Sequence, residues 1–158
     1  WDYRAGKDIR KKDKAKHLNT INAIDIDTSM ISYCRCLAED TNTLKSIKES
    51  FTEGDKPEED LQLLLGPVVS GASVVTDPQI VQDVLENQHR EVLGIEMEIY
   101  GMYYASSWAL KPHPRIVAMK GVSDFADSDK GDKYHAYASY TSAKVFEILA
   151  KNYFEYDN

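Results

Sequence analysis

The sequence lacks the features that mark three common classes of protein. It has only two cysteines, Cys34 and Cys36, which are too few for a disulfide framework and favour an intracellular setting. No apolar run approaches the roughly 20 residues that a membrane-spanning helix needs. The 158 residues include 19 Lys and Arg against 26 Asp and Glu, and the net charge of -7 argues against general nucleic-acid binding. We therefore expect a cytoplasmic protein with no membrane and no nucleic-acid partner.

What the sequence contains is the composition of a folded globular protein. Hydrophobic residues make up 42% of the chain and charged residues 28%, and the length suits one domain with a real core. We find no internal repeat and predict a single α/β domain over residues 1–158. Cys34 and Cys36 have no other metal ligands nearby in the sequence, so we interpret them as ordinary thiols and expect no metal and no cofactor.

Two acidic motifs in the stretch from Leu93 to Asp127 form the candidate site. The first is Glu96-Met97-Glu98 and the second is Ser123-Asp124. Their carboxylates stand where an apolar run has just ended or is about to begin. Charge is unusual in such a place unless it is buried against a ligand or a partner.

The same stretch predicts a strand, a helix and a second strand. Small and apolar residues alternate from Gly101 to Leu110, and the prolines that follow stop the helix. Ile116 to Val122 is rich in apolar and β-branched residues, which is typical of a strand buried on both faces of a parallel sheet. Ligands bind beyond the carboxyl ends of such strands, and Ser123-Asp124 falls at that end.

The rest of the chain supplies the surrounding elements. In order, we predict a helix from Asp27 to Phe51, a mobile acidic loop over 52–60, a central strand over 61–75 with a glycine break, a helix opened by Asp77-Pro78, and a long helix over 134–153. The first helix is expected to bury Leu37, Leu44, Ile47 and Phe51. The last is expected to bury Tyr137, Ala138, Thr141, Ala143, Val145, Phe146, Ile148 and Leu149. Together the elements predict a mostly parallel central sheet flanked by helices.

Residues 4–17 concentrate positive charge, with Lys or Arg at seven positions interleaved with Asp8 and Asp13. A solvated loop is the favoured interpretation of such a run. A phosphate-binding patch is the alternative, and it applies if the ligand carries phosphates.

The motifs resemble those of a known superfamily. Glu96-Met97-Glu98 followed by Val122-Ser123-Asp124-Phe125-Ala126-Asp127 resembles the pattern of the purine nucleoside phosphorylase and uridine phosphorylase superfamily, most closely its methylthioadenosine/S-adenosylhomocysteine nucleosidase branch. Ser70-Gly71-Ala72 is similar to a third element of that family, Ser-Gly-Asp at the end of a strand. The resemblance covers residues 66–149, roughly the last half of a family domain, so we expect an N-terminal part to precede residue 1.

The resemblance also implies roles for individual residues. Within the Glu96-containing motif, Glu98 would bind the ribose hydroxyls and Met97 would pack on the sugar. Asp124 would be catalytic, protonating the purine as the glycosidic bond breaks. The substrate-binding set is completed by Glu96, Ser70, Gly71, Val74, Val75 and Ser123. Ala72 replaces the family's Asp, and Val74 and Val75 stand where an aromatic residue stacks on the base, so we expect weaker stacking.

These residue types suit cleavage of an N-glycosidic bond. The transition state places positive charge on the ribosyl ring and negative charge on the departing base, so a carboxylate near the sugar and a proton donor at the base both help. We expect a purine, adenine in particular, as nucleoside or nucleotide, with hydrolysis favoured over phosphorolysis. A homodimer or higher homo-oligomer is expected, and the chain alone is expected to be inactive. The alternative is a non-catalytic nucleoside- or nucleotide-binding module of the same fold.

Overall fold

The structure is a computed structural model that describes residues 6–11, 14–19, 24–71, 82, 91–123 and 132–153, the first two ranges by their backbone alone. The chain divides into two compact units. Unit 1 comprises Trp1–Asp25 and Gly66–Ile116, and unit 2 comprises Ile26–Leu65 and Val117–Asn158. That residues 1–158 form one domain of the resembling family stays a prediction.

Unit 1 opens with a β-hairpin where the sequence predicted a loop. Strand β1 (Gly6–Lys11) pairs antiparallel with strand β2 (Lys14–Asn19), and Lys11 and Lys14 are register partners. Two residues separate the strands, and a connection of that length fixes the register of an antiparallel pair. The run of charge favours a solvated loop, whereas the family resemblance implies a loop and a short hairpin in this region. Charge reports solvation only, because the backbone hydrogen bonds of a hairpin are compatible with any side chain.

A small parallel sheet forms the other part of unit 1. Strand β3 (Val68–Ser70) pairs with strand β4 (Gly94–Glu96), with Val69 opposite Ile95. The ladder continues on both sides of the strands, since Leu93 N donates to Pro67 O at 2.9 Å and Gly71 N donates to Glu96 O at 2.9 Å. The described residues thus mix helices with a two-stranded parallel sheet, which is compatible with an α/β fold. The larger, flanked central sheet stays a prediction.

Helix α3 (Ile99–Ser107) follows β4 almost directly, as the sequence predicted. No residue of this helix is buried. The proline segment after it folds back on the helix: Ser106 Oγ donates to Pro114 O at 2.8 Å, and Tyr103 OH donates to Ile116 O at 3.4 Å. The helix ends at Ser107, earlier than the predicted end at Leu110 and well ahead of Pro112.

The second strand predicted in this stretch, from Ile116 to Val122, is absent from the structure, where residues 116–123 are irregular. Ile116, Val117 and Met119 are half-buried, and Met119 packs against the core of unit 2. The prediction was wrong because an apolar, β-branched run only indicates burial. A strand also needs a neighbouring backbone to pair with, and no described strand pairs with this segment.

Unit 2 begins with two helices where the sequence predicted one. Helix α1 (Thr28–Glu39) and helix α2 (Thr41–Glu49) meet at Asp40. Asp40 N donates to Leu37 O at 3.2 Å at the end of α1, and the Asp40 carboxylate accepts from Thr43 N at 3.0 Å at the start of α2. The hydrogen bonds from Thr43, led by the one from its hydroxyl, hold the pKa of Asp40 below its ordinary value. Local side-chain capping thus overrides the longer helical period.

Helix α4 (His135–Asn152), preceded by a 3₁₀ turn at Asp132–Tyr134, completes the core of unit 2. Most of its predicted buried residues are confirmed, but Ala143 and Phe146 are exposed because they fall outside the stripe that faces α1 and α2. The core cluster consists of Leu37, Leu44, Ile47, Val145 and Leu149. Phe51, also predicted to be buried, contacts Tyr137 with ring centroids 5.3 Å apart.

Of the central strand predicted over 61–75, the described residues 61–71 form a strand at Val68–Ser70, and residues 72–75 lie outside the described part of the chain. Leu61 and Leu63 pack instead against the core of unit 2, while Leu64 and Leu65 are exposed. Of the helix predicted after Asp77-Pro78, only Gln82 is described, and it is helical. No described helix is long and apolar enough to cross a membrane.

Candidate functional site

The two ends of the parallel strands bring part of the predicted site together. Because β3 and β4 run in the same direction, Ser70 lies opposite Glu96, and Gly71 N donates to Glu96 O at 2.9 Å. We call the group formed by Ser70-Gly71 and Glu96-Met97-Glu98 the carboxyl edge. The two segments are 25 or more positions apart in the sequence. The register of the two strands makes them neighbours.

Glu96 is the buried acid of the carboxyl edge, with 7% of its surface exposed. Its Oε2 accepts hydrogen bonds from Glu98 N and Ile99 N, both at 2.7 Å. These amides lie at the start of α3, where N–H groups have no partner within the helix. A charged acceptor at this end also interacts favourably with the helix dipole. Glu96 therefore joins the end of β4 to the start of α3.

Ser70 extends the same cap from the neighbouring strand. Its hydroxyl oxygen accepts a hydrogen bond from Tyr100 N at 3.1 Å, and the residue is 8% exposed. Three consecutive amides at the start of α3 are thus bonded to side chains of Glu96 and Ser70. The family resemblance implies substrate binding for both residues and does not reveal this capping role. The available signal was an acid shortly before a helix start, the spacing typical of caps.

Met97 and Glu98 form the exposed part of the carboxyl edge. Met97 is 43% exposed, and Glu98 is also exposed. Glu98 is the N-cap residue of α3, with φ -118° and ψ -31°, yet its side chain makes no capping hydrogen bond. An exposed carboxylate beside an exposed thioether can accept hydrogen bonds from hydroxyl groups while contacting an apolar surface. This is the combination that a sugar ring requires.

One atom of the edge has unsatisfied hydrogen-bonding capacity. Glu96 Oε1 is buried and has no hydrogen-bond partner among the described residues. Burying a carboxylate oxygen without a partner costs free energy. The two hydrogen bonds to the other oxygen, Oε2, offset that cost and hold Glu96 in place.

The structure does not test the other predicted site residues. Asp124, Val74 and Val75 lie outside the described residues, and their roles stay predictions. Ser123 is half-buried, follows an irregular segment instead of a strand, and belongs to unit 2. Within the described part of the chain, no group of three or more His, Cys, Asp or Glu residues could hold a metal ion.

An exposed row of aromatic rings runs along α3 next to the edge. Tyr100 and Tyr104 stack with ring centroids 5.8 Å apart, and Tyr104 and Trp108 follow at 6.0 Å. Trp108 is 75% exposed. Their spacing of four places them on one side of the helix.

A cluster of charged side chains lies in unit 2, on a surface groove of about 330 Å³. Thr43, Ser46 and Tyr140 line part of this groove. Glu147 accepts hydrogen bonds from Lys144 at 2.8 Å and from Lys151 at 2.5 Å, and together these lower its pKa to about 2. All three residues lie on one side of α4 at helical spacing. The cluster is a set of surface ion pairs.

Comparison with known proteins gives partial matches. No protein-family model and no solved structure matches the chain. An uncharacterized protein of Sinorhizobium fredii, y4jS, is 32% identical over 111 residues, which cover 69% of this chain and 27% of that protein. ATP nucleosidase Cap17 of Escherichia coli is 31% identical over 78 residues, 49% of this chain and 15% of that protein. The chain therefore spans about a quarter or less of the length of these relatives, one of which is named for nucleosidase activity.

Proposed function

We propose that this chain carries the sugar-binding edge of an enzyme that cleaves the N-glycosidic bond of a purine nucleoside or nucleotide. The observation that carries the proposal is the exposed Met97-Glu98 pair, held at the end of two parallel strands by the buried Glu96 and Ser70. The partial similarity to a protein named ATP nucleosidase supports it and favours adenine as the base.

The chemistry follows from where charge develops. As the bond to the base lengthens, the ribosyl ring becomes positive, and the Glu98 carboxylate stabilises that charge while accepting hydrogen bonds from the hydroxyls. Met97 contacts the apolar face of the sugar. Asp124 delivers a proton to the purine ring nitrogen, so the base departs neutral. Water attacks the anomeric carbon in hydrolysis, and phosphate does so in phosphorolysis. We propose hydrolysis.

The oligomeric state and setting are part of the same proposal. Helix α3 exposes Met102 by 51%, Tyr104 by 48% and Trp108 by 75%, which is more apolar surface than a single helix normally leaves uncovered. This supports a homodimer through α3. The free Cys34 and Cys36 support a cytoplasmic protein.

The alternative is a nucleotide-binding module without catalysis. It is favoured by Ala72, which stands where the resembling family has Asp, and by Val74 and Val75 in place of a stacking aromatic residue. Such a module would use the carboxyl edge to hold the sugar and would release no base.

Release of free adenine distinguishes the two. The protein at its natural full length is incubated with adenosine, methylthioadenosine, adenosylhomocysteine or ATP, with and without inorganic phosphate, and the products are separated by chromatography. Adenine release without phosphate supports a hydrolase. Release only with phosphate indicates a phosphorylase. Binding without release identifies the non-catalytic module, and neither binding nor release contradicts both functions.

A further inference from the structure

We propose that Glu96 is a positioning residue that holds the amides of Glu98 and Ile99 at the start of α3, and so keeps the Glu98 carboxylate directed to the sugar. This inference rests on the proposed function, because it takes Glu98 as the group that binds the ribose hydroxyls. It assigns Glu96 a different role from the direct ligand contact that the sequence predicted.

The hydrogen bonds at the start of α3 show how Glu98 is held. The side chain of an N-cap residue normally accepts a hydrogen bond from an amide two or three positions further on. At α3 the N-cap residue is Glu98, and its side chain makes no such bond. The amide two positions on, Tyr100 N, donates to Ser70 Oγ at 3.1 Å. The amides of Glu98 itself and of Ile99 both donate to Glu96 Oε2 at 2.7 Å, so Glu96 anchors the backbone that carries Glu98.

Burial separates the two acids further. Glu96 is 7% exposed and Glu98 is exposed, so a ligand reaches the second acid and not the first. Glu96 Oε1 has no hydrogen-bond partner among the described residues. An exposed side chain would cap α3 without burying an unpaired oxygen. A local arrangement that costs stability in this way is characteristic of functional sites.

Removing the Glu96 carboxylate should move Glu98. In Glu96→Ala the amides of Glu98 and Ile99 lose their acceptor, so the backbone that carries Glu98 is no longer anchored. The Glu98 side chain then moves away from the sugar. Glu96→Gln keeps one oxygen that can accept both amides, so this variant should retain the arrangement.

The test is a ligand titration with two probes, ATP and its 2',3'-dideoxy analogue, on the protein at its natural full length. Glu96→Ala should weaken ATP binding about 10- to 100-fold, the scale expected for a misplaced binding group. The dideoxy analogue lacks the hydroxyls and should be affected much less. Adding Glu98→Ala to Glu96→Ala should change ATP binding little, because the two substitutions remove the same interaction. Val69→Ala on β3 is the matched control, and it should affect both probes equally.

Three results in this titration would overturn the inference. One is an equal loss for both probes in Glu96→Ala, which would mean that the residue only supports the fold. Another is additive losses in the double variant. A Glu96→Gln variant as weak as Glu96→Ala would likewise show that the negative charge, and not the cap, is what matters.

A second measurement needs no ligand. Amide hydrogen exchange at Glu98 and Ile99 should accelerate at least about tenfold in Glu96→Ala and stay slow in Glu96→Gln, because only the first loses the acceptor. The carboxyl carbon resonance of Glu98 should shift only in Glu96→Ala. Should the wild type bind no nucleotide, the proposed function fails while these signals still report the cap. Unchanged hydrogen exchange and an unmoved resonance would reject the positioning role of Glu96 itself.

Discussion

Unit 2 and the carboxyl edge of unit 1 bury different kinds of side chain. The core of unit 2 consists of aliphatic residues on three helices, with Leu149 fully buried. At the carboxyl edge the buried side chains are Glu96 and Ser70, and the apolar Met97 is exposed. The core depends on shape and volume, whereas the edge depends on which amide each oxygen accepts. Substitutions in the two regions should therefore fail in different ways.

The largest expected effect belongs to the predicted catalytic acid. Asp124→Asn keeps a hydrogen bond to the base but cannot deliver a proton, so turnover should fall about 10²- to 10⁴-fold with little change in ligand affinity. Glu98→Gln should weaken both binding and turnover, because it removes the charge beside the ribosyl ring. Glu98 is exposed, so the free energy of unfolding should hardly change. Steady-state kinetics and ligand titration on both variants make the measurement, and near-normal turnover in Asp124→Asn would end its assignment.

The core of unit 2 should respond in the opposite way. Leu149→Ala opens a cavity at a site with 0% exposure, and it should lower the free energy of unfolding by about 2–5 kcal/mol. Denaturant titration followed by circular dichroism gives the loss. Phe146→Ala, on the exposed side of the same helix, is the matched control and should cost far less. Equal losses for the two variants would contradict the described core.

A pair of glycines tests packing at finer scale. A Cβ on Gly121 would lie 2.3 Å from Ala138 O, a contact with backbone that cannot move aside. Gly121→Ala should therefore destabilise the protein by about 1–3 kcal/mol or more. A Cβ on Gly101, within α3, meets nothing within 4 Å. Gly101→Ala should stabilise by about 0.5–1 kcal/mol, since Ala is the better helix former. Thermal unfolding of both variants checks the opposite signs.

The smallest expected effect lies at the surface of unit 2. The Lys144 and Lys151 ammonium groups lower the pKa of Glu147 from 4.5 to about 2. Because the folded-state pKa is depressed, the ion pairs contribute stability that is fully present above about pH 4.5 and is lost as the pH falls toward 2. Glu147→Gln should be slightly less stable than the wild type at neutral pH. The difference should vanish in acid, and a difference that grows in acid would reverse the assignment.

How far the sequence predicts the fold depends on the kind of signal. The 3.6-residue period locates α4 and the buried Leu37, Leu44, Ile47 and Phe51, because each helix carries its own pattern. The same period does not predict the break between α1 and α2 at Asp40. That break depends on a local hydrogen bond from Thr43 N to the Asp40 carboxylate. The strand predicted over 116–122 fails because pairing depends on a distant backbone that local composition does not report.

The candidate site shows the same division. The motifs indicate that Ser70-Gly71 and Glu96-Met97-Glu98 belong together, and the parallel register of β3 and β4 places them side by side. Which acid is buried could not be predicted. Strand alternation would place Glu96 and Glu98 on one face, but the strand ends at Glu96 and α3 starts at Ile99. The turn between them separates the two carboxylates.

Asp40 serves two helices at once, and this limits how the chain can vary in length. Its N–H closes the end of α1 and its carboxylate opens α2, so an inserted or deleted residue there would deprive one helix of its cap. The segment over 52–60 caps no helix in this way. Lys48 donates hydrogen bonds to the carbonyl oxygens of Glu58 and Glu59, and Lys56 donates to that of Lys48. These donors are flexible side chains, so they can still reach a segment that is longer. Insertions and deletions among relatives of this chain should therefore gather after Phe51 and spare the junction at Asp40.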